Sequence, residues 1–575
     1  MANRAEIAHC YLIIAVACLT VLNLGIDRRA EAGDRPSGPL HKTRSSVMAR
    51  HGMAATSQPL ATEAAIHVLR QGGNAVDAAI AANAVLGVVE PMSCGLGGDL
   101  FAIVWDNKTK KLYGLNASGR APAAATIELF KAKGLTAIPT HGPLSWSVPG
   151  CVDGWDQLRK RFGTRPWPEL LAPAIDYAET GFPVSEIIAA DWLSAEPSLR
   201  VIPSSAACFL PSGHAPEKGT IFRNPSLARS LRAIAQGGRD AFYQGPLAEA
   251  IVRYSTTVGG LFSHSDFSEH TSNFIDPVST SYRGYDVWEL PPNGQGIAVL
   301  QMLNLLEPFD LKGMGALSAD ALHLMIEAKK LAYEDRAKYY ADPDFAQLPI
   351  AALISKPYAA RRRAELKLDQ ANLSPTAGEP AGADTIYMTV VDGDFNCVSL
   401  IQSNFLGFGS YHVPTDLGFA LQNRGSLFAL DPKHLNRLEP RKRPFHTIIP
   451  GFVTKAGQPW LSFGLMGGDM QAQGHAQMIC NLIDFGMDVQ DAGDAPRFRH
   501  LGSSEPTGQP AQGGGSVALE SGISAETRRQ LEARGHRLVE SVGGFGGYQA
   551  IRIDLEHGVL IGGSDPRKDG CAMGY

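Results

Sequence analysis

The sequence changes character abruptly at residue 385. Residues 371–384 read ANLSPTAGEPAGAD, a stretch rich in Ala, Gly and Pro without a periodic apolar pattern, which predicts a loop or linker. Two segments rich in β-branched residues follow at once, Thr385–Val391 and Asn396–Ile401, on either side of an Asp-Gly-Asp turn. This pattern predicts a β-hairpin whose first strand begins at Thr385. The fold of this chain must therefore contain a β-sheet in which one strand begins directly after a linker.

Helices and strands are predicted on both sides of that junction. The segment Ala75–Val88 is almost wholly apolar and rich in Ala, so we expect a helix that is buried on most of its sides. Residues 150–270 are expected to be mainly helical, and residues 318–342 to form one long amphipathic helix. The other predicted elements are a helix at Pro59–Leu69, a glycine turn at 94–99, a hairpin of Leu100–Trp105 and Lys111–Asn116, strands at Thr447–Val453, Trp460–Gly464 and Gln549–Ile561, and helices at Gln471–Phe485 and Ala525–Gly535. Strands mixed with helices on both sides predict an α+β fold with αββα layers.

The composition is that of a large folded protein and excludes several classes of function. The chain has 575 residues, with 52 Lys and Arg against 57 Asp and Glu. This weakly acidic balance argues against nucleic-acid binding, so the runs Arg361–Arg363 and Arg441–Arg443 are interpreted as solvated surface or ion pairs. Eight Cys are too few for a disulfide scaffold. The six beyond residue 32 are expected to be buried thiols, and one disulfide stays open as an alternative if the protein is exported. The 16 His form no HxxxH pair, so neither a metal site nor a cofactor is predicted.

The first 32 residues resemble a secretory signal peptide. Residues 10–26 contain no charge, Arg4 precedes them, and residues 30–32 (AEA) fit the small-x-small pattern of a cleavage site. The chain is therefore expected to be periplasmic or secreted. Two alternatives stay open, an uncleaved membrane anchor and a cytoplasmic protein whose translation starts at Met48.

Thr385 has two interpretations. Thr is common in strands because it is β-branched, and most Thr residues in strands need no further explanation. A Thr at the end of a linker is also a candidate N-terminal nucleophile. Its hydroxyl would attack the carbonyl of Asp384, convert the peptide bond to an ester and let water cut the chain. The new α-amino group, with an ordinary pKa of about 7.7–8.0, would then act as the base for the hydroxyl beside it.

Seven motifs follow one another along the chain. They are SQPLATEAAIHVLRQGGNAVDAAIAANAVLGVVEP (57–91), GLGGD (95–99), PPNGQG (291–296), DTIYMTVVDGDFNCVSL (384–400), KRPFHTIIP (442–450), GLMGGD (464–469) and GGSDPRKDG (562–570). In this order they resemble the gamma-glutamyltransferase family of N-terminal-nucleophile hydrolases, from about Met48 to Tyr575. The resemblance implies a four-layer αββα sandwich. It also implies a proenzyme that cuts itself between Asp384 and Thr385 into a large subunit, 33–384, and a small subunit, 385–575.

The resemblance implies roles for individual residues as well. Thr385 would be the nucleophile of both self-cleavage and catalysis, and Ser403 would hydrogen-bond it. Gly467 and Gly468 would donate the two backbone N–H groups of an oxyanion hole. The implied substrate-binding residues are Arg120, for a substrate carboxylate, Asn423, in a substrate loop, and His446 and Thr447, which stand where typical members carry paired serines.

The chain departs from typical transpeptidases in the loop that recognises the substrate. There the family carries an Asp that holds the substrate amine, whereas this chain has Arg424–Phe428 and no carboxylate before Asp431. Ile386 replaces the Thr that follows the nucleophile, and residues 429–441 do not resemble the usual lid. This set of departures is similar to the gamma-glutamyltransferase-like branch of the family, which is related to cephalosporin-acylase-type amidases.

The function expected from this resemblance is that of a glutathione hydrolase-like enzyme, which cleaves gamma-glutamyl amides through an acyl-Thr385 ester. Hydrolysis is expected to be favoured over transfer. The expected partners are a small-molecule gamma-glutamyl or related acyl-amide substrate, water or an amine acceptor, and the two fragments of one precursor. Two alternatives stay open: a glutaryl or cephalosporin acylase with the same Thr chemistry, and an unprocessed binding protein without catalysis.

Overall fold

The computed structural model describes residues 42–376, 384–511 and 513–575. Residues 43–575 form one compact unit. The expected signal peptide, residues 1–32, and the middle of the expected linker, residues 377–383, lie outside the described residues. Within the described ranges, no helix combines the length and the apolar character that are needed to span a bilayer.

Two antiparallel sheets of seven strands each form the centre of the fold. In spatial order, sheet I contains β19 (Cys571–Gly574), β2 (Met53–Thr56), β10 (Asp384–Val391), β11 (Cys397–Phe405), β3 (Asp99–Asp106), β4 (Lys111–Ala117) and β7 (Asn273–Ile275). Sheet II contains β1 (Val47–Ala49), β18 (Val559–Ser564), β17 (Gly547–Asp554), β13 (Gln458–Met466), β12 (Gly451–Lys455), β9 (Tyr285–Glu289) and β8 (Val278–Tyr282). Two smaller sheets consist of β14 (Phe498–Leu501), β15 (Ser516–Leu519) and β16 (Leu538–Val539), and of β5 (Phe182–Pro183) and β6 (Ile221–Phe222).

Helices cover the outer face of each large sheet. The helices that share an apolar core with sheet I are α1 (Pro59–Arg70), α2 (Ala75–Val89), α4 (Cys151–Phe162), α5 (Trp167–Thr180), α6 (Glu186–Val201), α7 (Pro203–Phe209), α8 (Pro225–Tyr243), α9 (Pro246–Val258) and α10 (His264–Ser268). Those that share a core with sheet II are α11 (Gly296–Leu306), α12 (Leu311–Met314), α13 (Ala319–Tyr339), α14 (Ile350–Leu353), α15 (Lys356–Arg363), α16 (Met470–Ile483), α17 (Val489–Asp494) and α18 (Ala525–Ala533). A small helix, α3 (Ile127–Ala132), packs in a separate cluster.

The side chains of β10 show how the two sheets come to be stacked. Met388 and Val390 belong to the core under the helices of sheet I, whereas Tyr387 and Val391 belong to a third core that lies between the sheets. Neighbouring residues of a strand point to opposite faces, so a strand in the middle of four layers must be buried on both. The layers run helix, sheet, sheet, helix, and the predicted α+β fold with αββα layers is confirmed.

Sheet I contacts sheet II through β10 and β13. The hydroxyl oxygens of Thr389 and Ser462 lie 2.6 Å apart and share a hydrogen bond. Two residues further along each strand, a Cβ on Gly464 would come within 2.4 Å of the Tyr387 ring. The missing side chain at Gly464 therefore lets the Tyr387 ring lie against the backbone of β13.

The predicted apolar helix is α2, and it is buried as expected. Asn74 caps its first turn, and the carboxylate of Asp77 accepts a hydrogen bond from the Asn74 N–H at 3.1 Å. The same carboxylate accepts from the N–H of Thr164 at 2.9 Å, which ties the start of α2 to the connection between α4 and α5. An apolar helix with one buried capping acid is thus fixed in place against sheet I.

The long helix predicted at 318–342 is α13, but the prediction that it is amphipathic is wrong. All but three of its 21 residues are buried. Its charged side chains are paired inside the protein: Lys330 Nζ donates to Glu327 Oε1 at 2.7 Å, and Arg362 donates to Asp335 Oδ1 at 2.7 Å. The charges on α13 looked like a solvated face in the sequence, whereas in the fold they form internal ion pairs.

Two strand predictions also need correction. The segment 447–453 is not one strand, because β12 begins only at Gly451 and the preceding backbone bonds to side chains instead: Gln295 Nε2 donates to Thr447 O, and Gln471 Oε1 accepts from Ile449 N. The segment 549–561 forms two strands, β17 and β18. The strands β8 and β9, at one edge of sheet II, were not predicted.

The six described cysteines are all free thiols, and each is buried or half-buried. They are Cys94, Cys151, Cys208, Cys397, Cys480 and Cys571. Burial raises the pKa of every one of these thiols. Because the thiolate is the reactive form, none of these six side chains is an activated nucleophile.

We expect Gly464→Ala to destabilise the protein by at least about 2 kcal/mol, because the new methyl group overlaps the Tyr387 ring and pushes the two sheets apart. The measurement is the urea midpoint followed by far-UV circular dichroism. Gly407→Ala is the matched control, since a Cβ there meets no atom within 4 Å, and its change should stay within about 0.5 kcal/mol. Equal midpoints for both variants would contradict the sheet contact.

Candidate active site

β10 begins at the predicted cleavage point, and the register of its pairing with β11 shifts between its first residues. The pairs on either side of the irregularity are Asp384 with Phe405 and Ile386 with Gln402. The backbone of Thr385 therefore lies opposite two residues of β11, Ser403 and Asn404. Such a bulge locally bends a strand and is common next to active sites.

The other sheet brings a glycine pair to the same end of β10. The two contacts between β10 and β13 step by two residues along each strand. Continuing this spacing by two more residues sets the backbone of Thr385 across from Met466, the last residue of β13. Gly467 and Gly468 follow directly. By this spacing, the stacking of the two sheets is expected to bring the backbone of Thr385 close to the two glycines.

Gly467 and Gly468 form a tight turn between β13 and α16. Their φ angles are +116° and +59°, which side chains rarely adopt, and a Cβ on Gly467 would lie 3.1 Å from the Cα of Gly546. Gly467 O accepts from the first amide of α16, Met470 N, at 2.9 Å. The turn therefore lies at the positive end of a 14-residue helix, where a negative charge is stabilised.

Gln295 braces this turn from the interior. Its Nε2 atom donates to Thr447 O at 2.6 Å and to Gly468 O at 2.9 Å. Its Oε1 atom accepts from Arg336, which also donates to Asp469 Oδ1 at 2.8 Å. One buried side chain thus connects the glycine turn to the segment around Thr447 and to helix α13. Gln295 lies in the PPNGQG motif, but nothing in that motif had indicated this role.

Asp99 holds a second set of backbone segments. It is fully buried at the start of β3, where its Oδ1 accepts from the amides of Gly119 and Gly150 and from Gln422 Nε2 at 2.7–3.1 Å. Its Oδ2 contacts His446 Nε2 at 3.0 Å. Burial raises the pKa of Asp99 to about 7, against the lowering effect of Arg424 and these donors.

His446 is therefore a structural partner of Asp99. Its ring is buried, and burial, with Arg424 second, holds its pKa well below the usual range, so the imidazole stays neutral. Thr447, the next residue, hydrogen-bonds Arg424 rather than Asp99. Its Oγ1 accepts from Arg424 Nη1 at 2.7 Å. Of the two residues that stand at the paired-serine position, only Thr447 contacts Arg424.

Ser403 is buried on β11, next to the bulge. Its Oγ accepts from the N–H of Phe405 at 2.8 Å, and its backbone is paired with Asp99. The neighbouring Asn404 donates through Nδ2 to Cys94 O at 3.0 Å, at the predicted glycine turn. A Cβ on Gly98 would come within 2.5 Å of Ser403 O, so this turn must contain glycine for β11 to lie where it does.

Arg120 and Asn423 have other partners. The guanidinium of Arg120 lies 3.3 Å from Asp344 and 3.8 Å from Asp342, so its charge is already balanced by carboxylates. Asn423 is buried; its Nδ2 donates to Thr140 O at 2.7 Å and its Oδ1 accepts from Leu406 N at 3.2 Å. These contacts were not predicted, and the contacts of both residues with substrate stay predictions.

Arg424 lies in the site although no role had been predicted for it. The residue begins a short 3₁₀ turn, Arg424–Leu427, and its guanidinium carbon lies 4.5 Å from the centroid of the Phe405 ring. Phe405 is the strand partner of Asp384. The only signal in the sequence was the departure from the family pattern, in which an acid is expected in this loop.

One group of side chains has the composition of a metal site. The ligand atoms of His323, Glu327 and His536 all lie within 4.8 Å of one another. They already satisfy each other: His323 Nδ1 and His536 Nε2 are 2.7 Å apart, and Lys330 Nζ is 2.7 Å from Glu327 Oε1. A lysine ammonium therefore occupies the position of a cation. Glu327 also accepts from Asn372 N at 3.0 Å, which anchors the beginning of the expected linker.

Comparison with known proteins identifies the family. The sequence profile described as Gamma-glutamyltranspeptidase matches residues 61–575. The chain belongs to the gamma-glutamyltranspeptidase family. The resemblance that the seven motifs indicated is thereby confirmed over nearly the whole length of the compact unit.

Individual relatives of this family member include hydrolases and acylases. The chain is 39% identical over 537 residues to the glutathione hydrolase-like YwrD proenzyme of Bacillus subtilis, which covers 92% of this chain and 99% of that protein. It is 35% identical to the oxamate amidohydrolase proenzyme of Klebsiella pneumoniae over 540 aligned residues, and this alignment covers 92% of this chain and 100% of that protein. The crystal structure of cephalosporin acylase from Bacillus halodurans superimposes with a TM-score of 0.87 at 42% identity, covering 94% of this chain and 99% of that one. The chain is an amidohydrolase or acyltransferase of the N-terminal-nucleophile type.

We expect Asp99→Ala to destabilise the protein by at least about 3 kcal/mol, because four buried donors lose their acceptor. Asp106→Ala, at the other end of β3, is the matched control. Asp106 accepts only from Lys108 N and Thr109 Oγ1 near the surface, so its loss should cost under about 1 kcal/mol. Urea midpoints at pH 7.5 measure both, and a shift for Asp99→Ala no larger than the control would contradict its role.

Proposed function

We propose that this chain is a self-processing N-terminal threonine amidohydrolase that cleaves gamma-glutamyl-type amides, in which the acyl group carries a free carboxylate. The observation that supports the proposal is the place of Thr385 in the sheets: its backbone lies in the bulge opposite Ser403, and the two-residue spacing of the contacts between β10 and β13 leads from it to Met466, directly before Gly467 and Gly468. The relatives named as hydrolase and acylase proenzymes support the same chemistry.

Self-cleavage is proposed to begin at the bond between Asp384 and Thr385. The Thr385 hydroxyl attacks the Asp384 carbonyl carbon, and the C–N bond breaks as the new ester bond forms, with the proton passing to the released amine. Water then hydrolyses the ester and leaves a carboxylate on Asp384 and a free α-amino group on Thr385. The backbone N–H groups of Gly467 and Gly468, which lie just before the N-terminal end of α16, stabilise the oxyanion of the intermediate.

The same hydroxyl is proposed to act on the substrate. The neutral α-amine of Thr385 takes the hydroxyl proton, the oxygen attacks the substrate amide, and the proton is given to the departing amine. An acyl ester on Thr385 results. Water attacks this ester, and the products are a carboxylate and the regenerated hydroxyl, so one water molecule is consumed for each amide bond that is cut.

Hydrolysis is proposed to dominate over transfer to an amine. The loop in which transpeptidases carry an acid for the substrate amine contains Arg424–Phe428 here, without a carboxylate. The apolar N-terminal run supports export as part of the same proposal, with processing in the periplasm or outside the cell.

The first test is denaturing gel electrophoresis of the purified protein. Two fragments of about 38 and 20 kDa are expected, on the scale of ~107 Da per residue, with N-termini at Gly33 and Thr385 by sequencing. Thr385→Ala should remain one intact chain because it lacks the hydroxyl. Thr385→Ser, which keeps the hydroxyl, is the matched control and should still be cut.

An intact wild-type chain would contradict the proposal and favour the unprocessed binding protein instead. A small fragment that begins at any residue other than Thr385 would contradict the assignment of the nucleophile. A cut Thr385→Ala chain would show that a contaminating protease, and not the protein itself, breaks the linker.

A second test concerns the fate of the acyl group. With the processed enzyme and an acyl p-nitroanilide, addition of glycylglycine should raise the rate of nitroaniline release by less than about twofold, because water already reacts with the acyl ester. Mass spectrometry should find the free acid as the main product. A rate increase of tenfold, with acyl-glycylglycine as the main product, would identify a transpeptidase instead.

A further inference from the structure

One histidine side chain links the strand before the glycine turn to the helix that follows the turn. The N–H of Leu465, two residues before Gly467, donates to His475 Nε2 at 3.1 Å. Leu465 belongs to β13, and His475 lies in the second turn of α16. The imidazole therefore spans the turn of Gly467 and Gly468 and restricts the angle at which β13 meets α16.

Leu465 needs this acceptor because the neighbouring strand ends before it. The pairing of β12 with β13 stops at Gly451 and Phe463, so the ladder of backbone hydrogen bonds does not extend to Leu465 on that side. The imidazole lies in the space beside Gly451, where a Cβ would come within 3.2 Å of His475 Cε1. A buried N–H without an acceptor is costly, so the ring nitrogen replaces the strand carbonyl that is missing there.

Glu289, the last residue of β9, determines which nitrogen of this imidazole carries the proton. Its Oε1 lies 2.8 Å from His475 Nδ1, and both side chains are fully buried. Burial lowers the pKa of His475 to about 3, so the imidazole is neutral at physiological pH. A neutral imidazole that accepts through Nε2 must be protonated on Nδ1, so Nδ1 donates to Glu289.

This pair lies next to the side chain that supports the glycine turn from the interior. Gln295 donates to Gly468 O at 2.9 Å. The next residue is Gly296, where a Cβ would come within 3.1 Å of Glu289 Oε2. Two separate groups thus hold the glycine turn: Gln295 bonds the turn itself, and His475 with Glu289 bonds the strand that leads into it.

We infer that His475 and Glu289 are positioning residues for the oxyanion donors. His475 holds the end of β13 through Nε2, and Glu289 fixes the tautomer in which Nε2 is an acceptor. The inference rests on the proposed function, in which Gly467 and Gly468 stabilise the oxyanion of self-cleavage and of substrate hydrolysis. Both side chains act through the backbone of β13. Such donors must lie within about 0.5 Å of the productive geometry, and loss of one donor costs about 10²–10³ in kcat.

The test compares two amide side chains at position 475 in the self-cleavage of the full chain, which is made by cell-free translation and followed with time on a denaturing gel. His475→Gln brings an amide oxygen to the place of Nε2, so its rate should stay within about threefold of the wild-type rate. His475→Asn extends only as far as Nδ1 and leaves the N–H of Leu465 without an acceptor. Its self-cleavage should be slower than that of the wild type by at least about tenfold.

Position 289 provides an independent pair of variants. Glu289→Gln keeps an oxygen that accepts from Nδ1, so its rate should stay within about threefold of the wild-type rate. Glu289→Met has a similar size but no such acceptor, so the proton is no longer held on Nδ1, and self-cleavage should slow by at least about tenfold.

Tyr282→Phe is the matched control for the loss of a buried hydrogen bond. The Tyr282 hydroxyl donates to Asp484 Oδ2 at 2.6 Å, and Asp484 lies at the other end of α16, away from the glycine turn. Because this variant disturbs the same helix without touching β13, its self-cleavage rate should stay within about twofold of the wild-type rate.

Turnover by the processed enzymes separates positioning from stability. With gamma-glutamyl p-nitroanilide, well below the unfolding midpoint of each variant, kcat should fall at least about tenfold for His475→Asn and Glu289→Met, while KM changes by less than about twofold. A merely structural defect would disappear at such temperatures, because nearly all of the protein is then folded. Where a variant stays uncut or the wild type does not turn over this compound, the self-cleavage rates decide alone.

Equal self-cleavage rates within either pair of folded variants, or a loss in Tyr282→Phe as large as in His475→Asn, would overturn the inference and leave the proposed function standing. If circular dichroism shows that one variant does not fold, the pair at the other position decides. An uncut wild-type chain would overturn both the inference and the proposed function.

Discussion

The packing of β10 on β13 determines where the chemistry of this protein can take place. β10 starts at the end of the linker, and β13 ends at the glycine pair, so one contact between two sheets aligns the proposed nucleophile with the proposed oxyanion donors. The Tyr387 ring fits only because Gly464 has no side chain, and the hydrogen bond between Thr389 and Ser462 fixes the offset. A shift by one residue would turn every side chain of β10 to the wrong face, so the alignment is strongly specified.

Around this contact the interior contains polar side chains, and their hydrogen bonds hold separate backbone segments together. Gln295 and Asp99 each join backbone segments that are far apart in the sequence. The chain of contacts from α13 through Arg336 and Gln295 to Gly468 explains why α13 carries charges while it is buried. Groups that are held by rigid elements and by second hydrogen bonds keep the geometry that catalysis needs.

The limits of prediction follow from the same physics. Helix α2 and the hairpin of β10 and β11 could be predicted because their local pattern and their burial agree. The burial of α13 could not, because its charged residues have partners that only the fold brings near, such as the Arg362 guanidinium for Asp335 and the backbone N–H of Asn372 for Glu327. The motifs indicated the junction at Thr385 and the glycine pair, but not which arginine lies in the site. Arg120 looked suitable from its motif, yet its charge is balanced by Asp342 and Asp344.

Arg424 is fully buried, and its guanidinium donates to the hydroxyl of Thr447 rather than to a carboxylate. Leaving a buried cation without a direct counterion lowers the stability of the folded chain, and the interior elsewhere pairs its buried arginines with carboxylates. Local departures of this kind are expected at functional sites, where stability is given up for binding. The family pattern expects an acid in this loop, and this chain has a buried cation there instead. The relatives include a protein named as a glutathione hydrolase-like proenzyme and one named as an oxamate amidohydrolase proenzyme, so one fold carries different acyl specificities, as a change confined to such a loop would allow.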